Sequence, residues 1–338
     1  MTGPVPVGGP YYEDLRRGQV FDVAPSVTLT AGQAAVHQAI LGDRLRLPLD
    51  AVLSARVLGR PGQLAHPGLV CDVAIGQSTH VTQRVIGNLF YRGLVLRRAP
   101  VVGDTLSTTT EVVALRDTSR REGRAPAGLA ALRMRTVDQD DRVVLDFHRC
   151  AMLPMRGEGS RPGHGDDLDA ISSVLPGPED LAGAVAGWDL GAYRESVPGA
   201  HAAELVPGAE YEVLDGETVS AAPELARLTL NIAAVHTDPA SAAGRGQRLV
   251  YGGHTIGIAL SHAARALPNL VTVVAWRTCD HLGPVREGDV LRSRVAIGEI
   301  APIAAGGALA DLRVLTSADR MDAPPAPVLD WSLVALFA

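Results

Sequence analysis

Asn231 and His236 stand five residues apart in LTLNIAAVHTDP, and after a short polar crossing Gly252-Gly253 open the apolar run that continues to Pro268. An imidazole titrates near neutrality and can take and return a proton. An amide can hold a water or a polar substrate atom but cannot accept that proton. The apolar run repeats at helical spacing through Ile256, Leu260, Ala263 and Leu267, with Pro268-Asn269 as a stop. The first N–H groups of such a helix lack intrahelical partners and carry partial positive charge, so they stabilise an anionic or strongly polarised oxygen. Gly253, without a Cβ, would let that oxygen approach.

The elements that must position these groups occur twice. Gly68 and Gly253 are 185 positions apart, as are Tyr91 and Trp276, Arg92 and Arg277, and Gly103-Asp104 and Gly288-Asp289. Val144-Leu145-Asp146-Phe147 returns 184 positions on as Val328-Leu329-Asp330-Trp331, and His37 answers His236 at 199. The longer spacing between His37 and Gly68 places an insertion in the first copy, roughly residues 41–56. Each copy reads as an opening strand, a helical run and a set of β-branched-rich strands separated by turn signals. Strands gathered after one helix imply an antiparallel sheet covering it, an α+β layout. The expected organisation is a first repeat over 1–154, a Gly-, Pro- and Asp-rich solvated linker over 155–187, and a second repeat over 188–338.

Composition narrows the function classes. A net charge of −6 disfavours a general nucleic-acid binder. No apolar run approaches the roughly 18 residues of a membrane span, and the N-terminus lacks a secretory pattern, so a cytoplasmic protein is expected. Three scattered cysteines suggest neither a disulfide framework nor a zinc site, and His164 with Asp166, Asp167 and Asp169 reads as linker rather than metal ligands. All 31 basic residues are arginine, which excludes Schiff-base chemistry on lysine. There is no GxSxG elbow, Walker loop or HExxH helix.

The ordered set YYEDLRRGQVF, GNLFYRGLVLRRAPVVGDTL, LNIAAVHTDP, RLVYGGHTIGIA and LDWSLVAL covers most of the chain and resembles the MaoC-like double-hotdog enoyl-CoA hydratases. The resemblance implies two repeats, each with a long central helix wrapped by an antiparallel sheet. It also implies reversible hydration of a 2-enoyl-CoA thioester: mesaconyl-CoA to β-methylmalyl-CoA, or a related branched or short acyl-CoA. The family's acid/base His maps to His236, its carbonyl-polarising backbone N–H to Gly253, and its acid to Asn231, where this chain departs from the common Asp. Asp238, Gly252 and His254 are expected to support the site, His254 as a helix cap or behind the base. Arg245, Arg248, Arg92 and Arg277 are candidates for a substrate carboxylate or CoA phosphates, since the Arg fork binds paired oxygens.

No cofactor is expected beyond CoA as part of the substrate, no metal, and a homo-oligomer of double-hotdog chains is one expected assembly. The first copy keeps His37 but has Gly32 where Asn231 stands, so it is expected to bind substrate without catalysing. Two alternatives stay open, a hotdog acyl-CoA thioesterase and a non-catalytic acyl-CoA-binding protein.

Overall fold

A computed structural model describes all residues except 1–2, 6, 120–124, 158, 242–245 and 322. The first copy opens with β1 (Val20–Phe21), β2 (Val27–Thr28) and α1 (Ala31–Leu41). The two short helices α2 (Arg46–Leu49) and α3 (Ala51–Leu58) fill the inserted stretch, and α4 (Pro67–Gln77) is the central helix. The strands β3 (Gly87–Leu96), β4 (Thr105–Asp117), β5 (Ala127–Val137) and β6 (Val143–Pro154) follow. After α5 (Pro178–Ala182) and α6 (Leu190–Ser196), the second copy runs through β7 (Glu210–Glu212), β8 (Glu217–Thr218), α7 (Ala222–Leu228) and α8 (Ala234–Thr237). It ends with the central helix α9 (Gly252–Ala266) and the strands β9 (Leu270–His281), β10 (Val290–Pro302), β11 (Ala308–Arg320) and β12 (Ala323–Phe337).

The strands make one antiparallel sheet in the order β1-β4-β5-β6-β3-β9-β12-β11-β10-β7, with β2 on β4 and β8 on β10. The copies join where β3 pairs β9, Tyr91 opposite Cys279 and Leu94 opposite Trp276. Within the copies Tyr91 pairs Arg149 and Trp276 pairs Leu333, so the register carries the repeat across the junction. Both central helices lie buried on the inner face; α9 is covered from Gly253 through Ala264. A helix apolar on every side needs such a site. Among the described residues no helix is long and apolar enough to cross a membrane.

The helices that precede each central helix cross over and grip the other copy. Leu41, at the end of α1, fills the place where a Cβ on Gly257 of α9 would stand, and Ser261 Oγ donates to Gly42 O at 3.0 Å. In return the loop after α7 lies on the end of α4: Ile232 N–H donates to Thr79 Oγ1 at 3.1 Å and Ala234 N–H to Gln83 O at 3.0 Å. The backbones approach so closely there that only glycine fits at position 76.

The linker differs from its expectation as a solvated segment. Asp117 N–H donates to His164 O, Leu115 N–H donates to Asp166 Oδ2, and Leu168, Leu175, Leu181 and Val185 are buried. The physical reason is that the outer face of the sheet is apolar too, through Ala131, Cys150, Val274 and Val334, and the linker covers it.

Replacing Gly76 tests the grip of the loop on α4. In an ordinary helix Gly→Ala gains up to about 1 kcal/mol. Here the new Cβ would stand 1.7 Å from Thr229 O, a backbone atom. The clash dominates, and Gly76→Ala is expected to cost about 2–3 kcal/mol in urea denaturation. An unchanged midpoint would mean that the loop carrying Asn231 is not seated on α4.

Candidate active site

His236 occupies the single turn α8 and is 9% exposed. Its Nδ1 lies 2.8 Å from Leu249 O. A carbonyl only accepts, so Nδ1 carries the proton and Nε2 is left with its lone pair. Burial pushes the ring down to about 4; the bond to Leu249 works against this and the charge of Arg149 adds to it. The imidazole is therefore neutral at ordinary pH and has the tautomer of a base.

Asn231 is 4% exposed, and its Oδ1 accepts from Ala233 N–H at 3.0 Å in an Asx turn. That bond fixes the amide and leaves Nδ2 as a donor. Tyr251, which precedes α9, stacks obliquely beside His236 with ring centroids 5.5 Å apart. Among the described residues no side chain caps α9; His254 N–H donates to Tyr251 O, and the Gly252 and Gly253 N–H groups before it stay free. Both glycines there are sterically required. A Cβ on Gly252 would stand 2.6 Å from His281 Nε2, and one on Gly253 would stand 2.0 Å from Asp72 Oδ1.

Four residues around His236 and the α9 mouth were not among the sequence candidates. Tyr251 Oη is buried beside the Asp72 carboxylate, and burial first and that carboxylate second drive the phenol pKa well up. His281 is held down to about 4, by burial first and by His236 second. Asp72 reaches the mouth of α9 from α4, and Arg149 comes from β6. The available signal was one charge inside each of two otherwise apolar stretches, PGLVCDVAIG and FHRCAML.

Of the sequence candidates, Gly252 and Gly253 stand at the mouth of α9, and the loop bearing Asn231 leads into the turn bearing His236. Asp238 does not join them; it is exposed, and its Oδ1 accepts from Ala240 N–H within the Asp-Pro turn. His254 does not cap α9 either. It is fully buried with both ring nitrogens unpartnered, and burial lowers it to about 4. The arginine candidates are already neutralised: Arg92 by Asp280 at 2.7 Å, Arg277 by Asp311 at 3.0 Å and Arg248 by Glu287 at 2.5 Å. These pairs are at least partly exposed, so water and a carboxylate compete for each guanidinium. Arg245 lies outside the described residues.

The first copy is organised differently. His37 lacks a partner at Gly32, as expected, but finds one on the central helix: its Nε2 is 3.4 Å from Asp72 Oδ2. His66 packs 4.9 Å from it, with Nε2 3.2 Å from Asp43 Oδ1. Burial raises the Asp43 pKa, yet the His66 ring and the Leu45 N–H outweigh it and hold the carboxyl below its usual range. His37, Asp43 and His66 face a cavity of about 240 Å³ beneath α1 and the inserted helix α2. The mouth of α4 is closed, because Gly68 N–H donates to His66 Nδ1 at 3.1 Å. One copy thus has a capped helix beside a His–Asp pair, the other an uncapped helix beside a neutral His.

No protein-family model matches the chain. It is 30% identical over 298 residues to β-methylmalyl-CoA dehydratase of Chloroflexus aurantiacus, covering 84% of this chain and 80% of that one. A Mycobacterium tuberculosis protein described as having a double hotdog fold superposes with a TM-score of 0.90 at 55% identity, over 99% of this chain and 100% of that one. A putative MaoC domain dehydratase from Chloroflexus aurantiacus superposes with a TM-score of 0.81 at 25% identity, over 97% of each chain. The duplicated helix-in-sheet unit described above is the double hotdog of these relatives, and the chain belongs to the MaoC-like double-hotdog family of hydratases and dehydratases.

Proposed function

We propose that the chain interconverts a 2-enoyl-CoA and its 3-hydroxyacyl-CoA, with mesaconyl-CoA and β-methylmalyl-CoA as the leading pair, and that the reaction runs at His236 in the C-terminal copy. The observation that carries this reading is a buried, neutral, tautomer-fixed imidazole beside a central helix whose mouth no side chain caps. The relative named for β-methylmalyl-CoA supports the acyl group.

In the hydration direction, His236 Nε2 removes a proton from water as the water oxygen bonds to the β-carbon. The C=C electron pair moves toward the thioester oxygen, where the Gly253 N–H and the α9 dipole stabilise the enolate. The imidazolium then returns its proton to the α-carbon, so the net change is addition of one water. Asn231 Nδ2 donates to the water oxygen and turns a lone pair toward the β-carbon. CoA enters as part of the substrate.

His236→Ala is expected to lower kcat/KM for mesaconyl-CoA or crotonyl-CoA by about 10²–10⁴ with circular dichroism unchanged. The enoyl absorbance follows the reaction; release of free CoA in its place would identify a thioesterase. The base must be unprotonated to act. With its pKa lowered to about 4, kcat/KM should hold as pH falls from 7 to 5 and decline only near 4, and an acid limb at the ordinary histidine value of about 6.5 would remove His236 from the role.

Gly253→Ala separates the oxyanion site from the base. The added Cβ would collide with Asp72 at the mouth of α9. The N–H is kept, but the methyl and the displaced carboxylate crowd the place of the thioester oxygen, so kcat is expected to fall, by up to the roughly 10²-fold scale of one oxyanion contact, with the acid limb unmoved. Full activity would place the carbonyl elsewhere.

A further inference from the structure

Arg149 on β6 is 3% exposed. Its Nη2 donates to Ser78 Oγ at 2.9 Å, to Thr82 Oγ1 at 2.8 Å and, weakly, to Ser78 O at 3.5 Å. Its Nε is buried with no partner, and among the described residues no carboxylate lies within ion-pair distance of it. The two phenols beside it supply no counter-charge, because burial drives both Tyr91 and Tyr251 up and keeps them neutral. A buried charge normally has an ionic partner, since leaving one unpaired is costly.

The second copy shows that the fold does not need this charge. The register that pairs Tyr91 with Arg149 pairs Trp276 with Leu333, so Leu333 holds the equivalent place. The same repeat puts Ala263 and Leu267 where Ser78 and Thr82 stand. All three are buried and apolar. One copy thus packs this position with hydrocarbon, and the other keeps a guanidinium and the two hydroxyls that orient it.

The guanidinium lies under the loop that carries the proposed site. Ser78 and Thr82 flank Thr79, which receives the Ile232 N–H, and Gln83 O receives the Ala234 N–H. Those contacts seat residues 231–236 directly over this segment. Tyr91, the strand partner of Arg149, packs 5.9 Å from His281, whose ring faces Gly252. Arg149 therefore borders the space between His236 and the mouth of α9 from the first copy's side.

We propose that Arg149 is the receptor for a free carboxylate on the acyl group, so that the site selects dicarboxylic acyl thioesters over neutral ones. The proposal rests on the acyl group lying beside His236. Nε has no partner and Nη1 makes no hydrogen bond among the described residues, which leaves donors for a carboxylate fork. An anion reaching so buried a group must be carried there on the acyl end, whereas the phosphates of CoA are on its nucleotide. The arginines that the sequence offered for this role and that lie among the described residues, Arg92, Arg248 and Arg277, are paired with carboxylates already, and Arg149 is not.

The test compares calorimetric binding of methylsuccinyl-CoA, a saturated thioester with a free carboxylate, and butyryl-CoA, a neutral one. The wild type should prefer the former. Arg149→Leu, which installs the residue of the second copy, should weaken methylsuccinyl-CoA by about 10- to 100-fold, the range of a charged hydrogen bond, and leave butyryl-CoA within about threefold. Arg149→Lys should recover part of the loss. Equal weakening of both ligands, or of neither, overturns the proposal, as does a wild type without preference, a measurement that stands even if the variant does not fold. Turnover separates the two readings. A wild type that prefers the carboxylate but hydrates neither mesaconyl-CoA nor crotonyl-CoA loses the hydratase and keeps the subsite. One that hydrates crotonyl-CoA but shows no preference keeps the hydratase and loses the subsite.

Discussion

The contact between α4 and α9 constrains everything else in this molecule. Asp72 of one helix lies where a Cβ on Gly253 of the other would be, Leu41 lies where a Cβ on Gly257 would be, and Thr229 O lies where a Cβ on Gly76 would be. Each central helix is also gripped by the segment that precedes the other. Each segment lies on the neighbouring copy, α1 over α9 and the segment after α7 over the end of α4. The site proposed at His236 therefore draws on both repeats, with the proposed base from one and Asp72 and Arg149 from the other.

That arrangement explains how a duplicated unit can diverge without losing its fold. The repeat places His66 and Tyr251 at equivalent positions, just before their central helices. An imidazole Nδ1 there accepts the helix N–H and closes the mouth of α4; a phenol leaves the mouth of α9 uncapped. The surrounding charges follow the same division. The closed mouth of α4 is flanked by His37–Asp72 and His66–Asp43, while the mouth of α9 faces a neutral His and, from the first copy, Asp72 and the lone guanidinium of Arg149. A polar group in a low-dielectric interior acts strongly on whatever is next to it, so a few substitutions were enough to make two different environments from one scaffold.

Much of this was legible from the residue pattern. The 185-residue offset gave the duplication, the β-branched runs gave a set of strands after each helix, and the spacing of His236 to the glycine pair pointed to the mouth of α9. The remainder depended on contacts between copies. Asp72 is equivalent to Gly257, so comparing repeats sets a carboxylate against no side chain at all and its role disappears. Arg149 alternates inward where a strand of this kind should be apolar, and nothing local distinguishes it from the arginines that form cross-strand pairs outside. Arg92 and Arg277 show the opposite case, suitable fork donors whose strand face turns them to Asp280 and Asp311. The linker composition read as solvated because its polar groups are many, yet a few leucines and two backbone bonds suffice to lay it on an apolar sheet face.

The same electrostatics give residue 231 a reason to be Asn. A carboxylate beside a buried His raises its pKa and favours the imidazolium, which cannot remove a proton from water. A guanidinium does the opposite, and Arg149 already pushes His236 in the direction of the free base. A carboxylate at 231 would also bring a counter-ion into the enclosure over Thr79 and Gln83 and compete with any anionic substrate for Arg149. An amide avoids both effects. It keeps its oxygen on Ala233 N–H, offers Nδ2 to a water, and carries no charge. On this reading the departure from the common acid and the unpaired arginine are two parts of one adaptation, in which the counter-charge that Arg149 lacks is brought by the substrate.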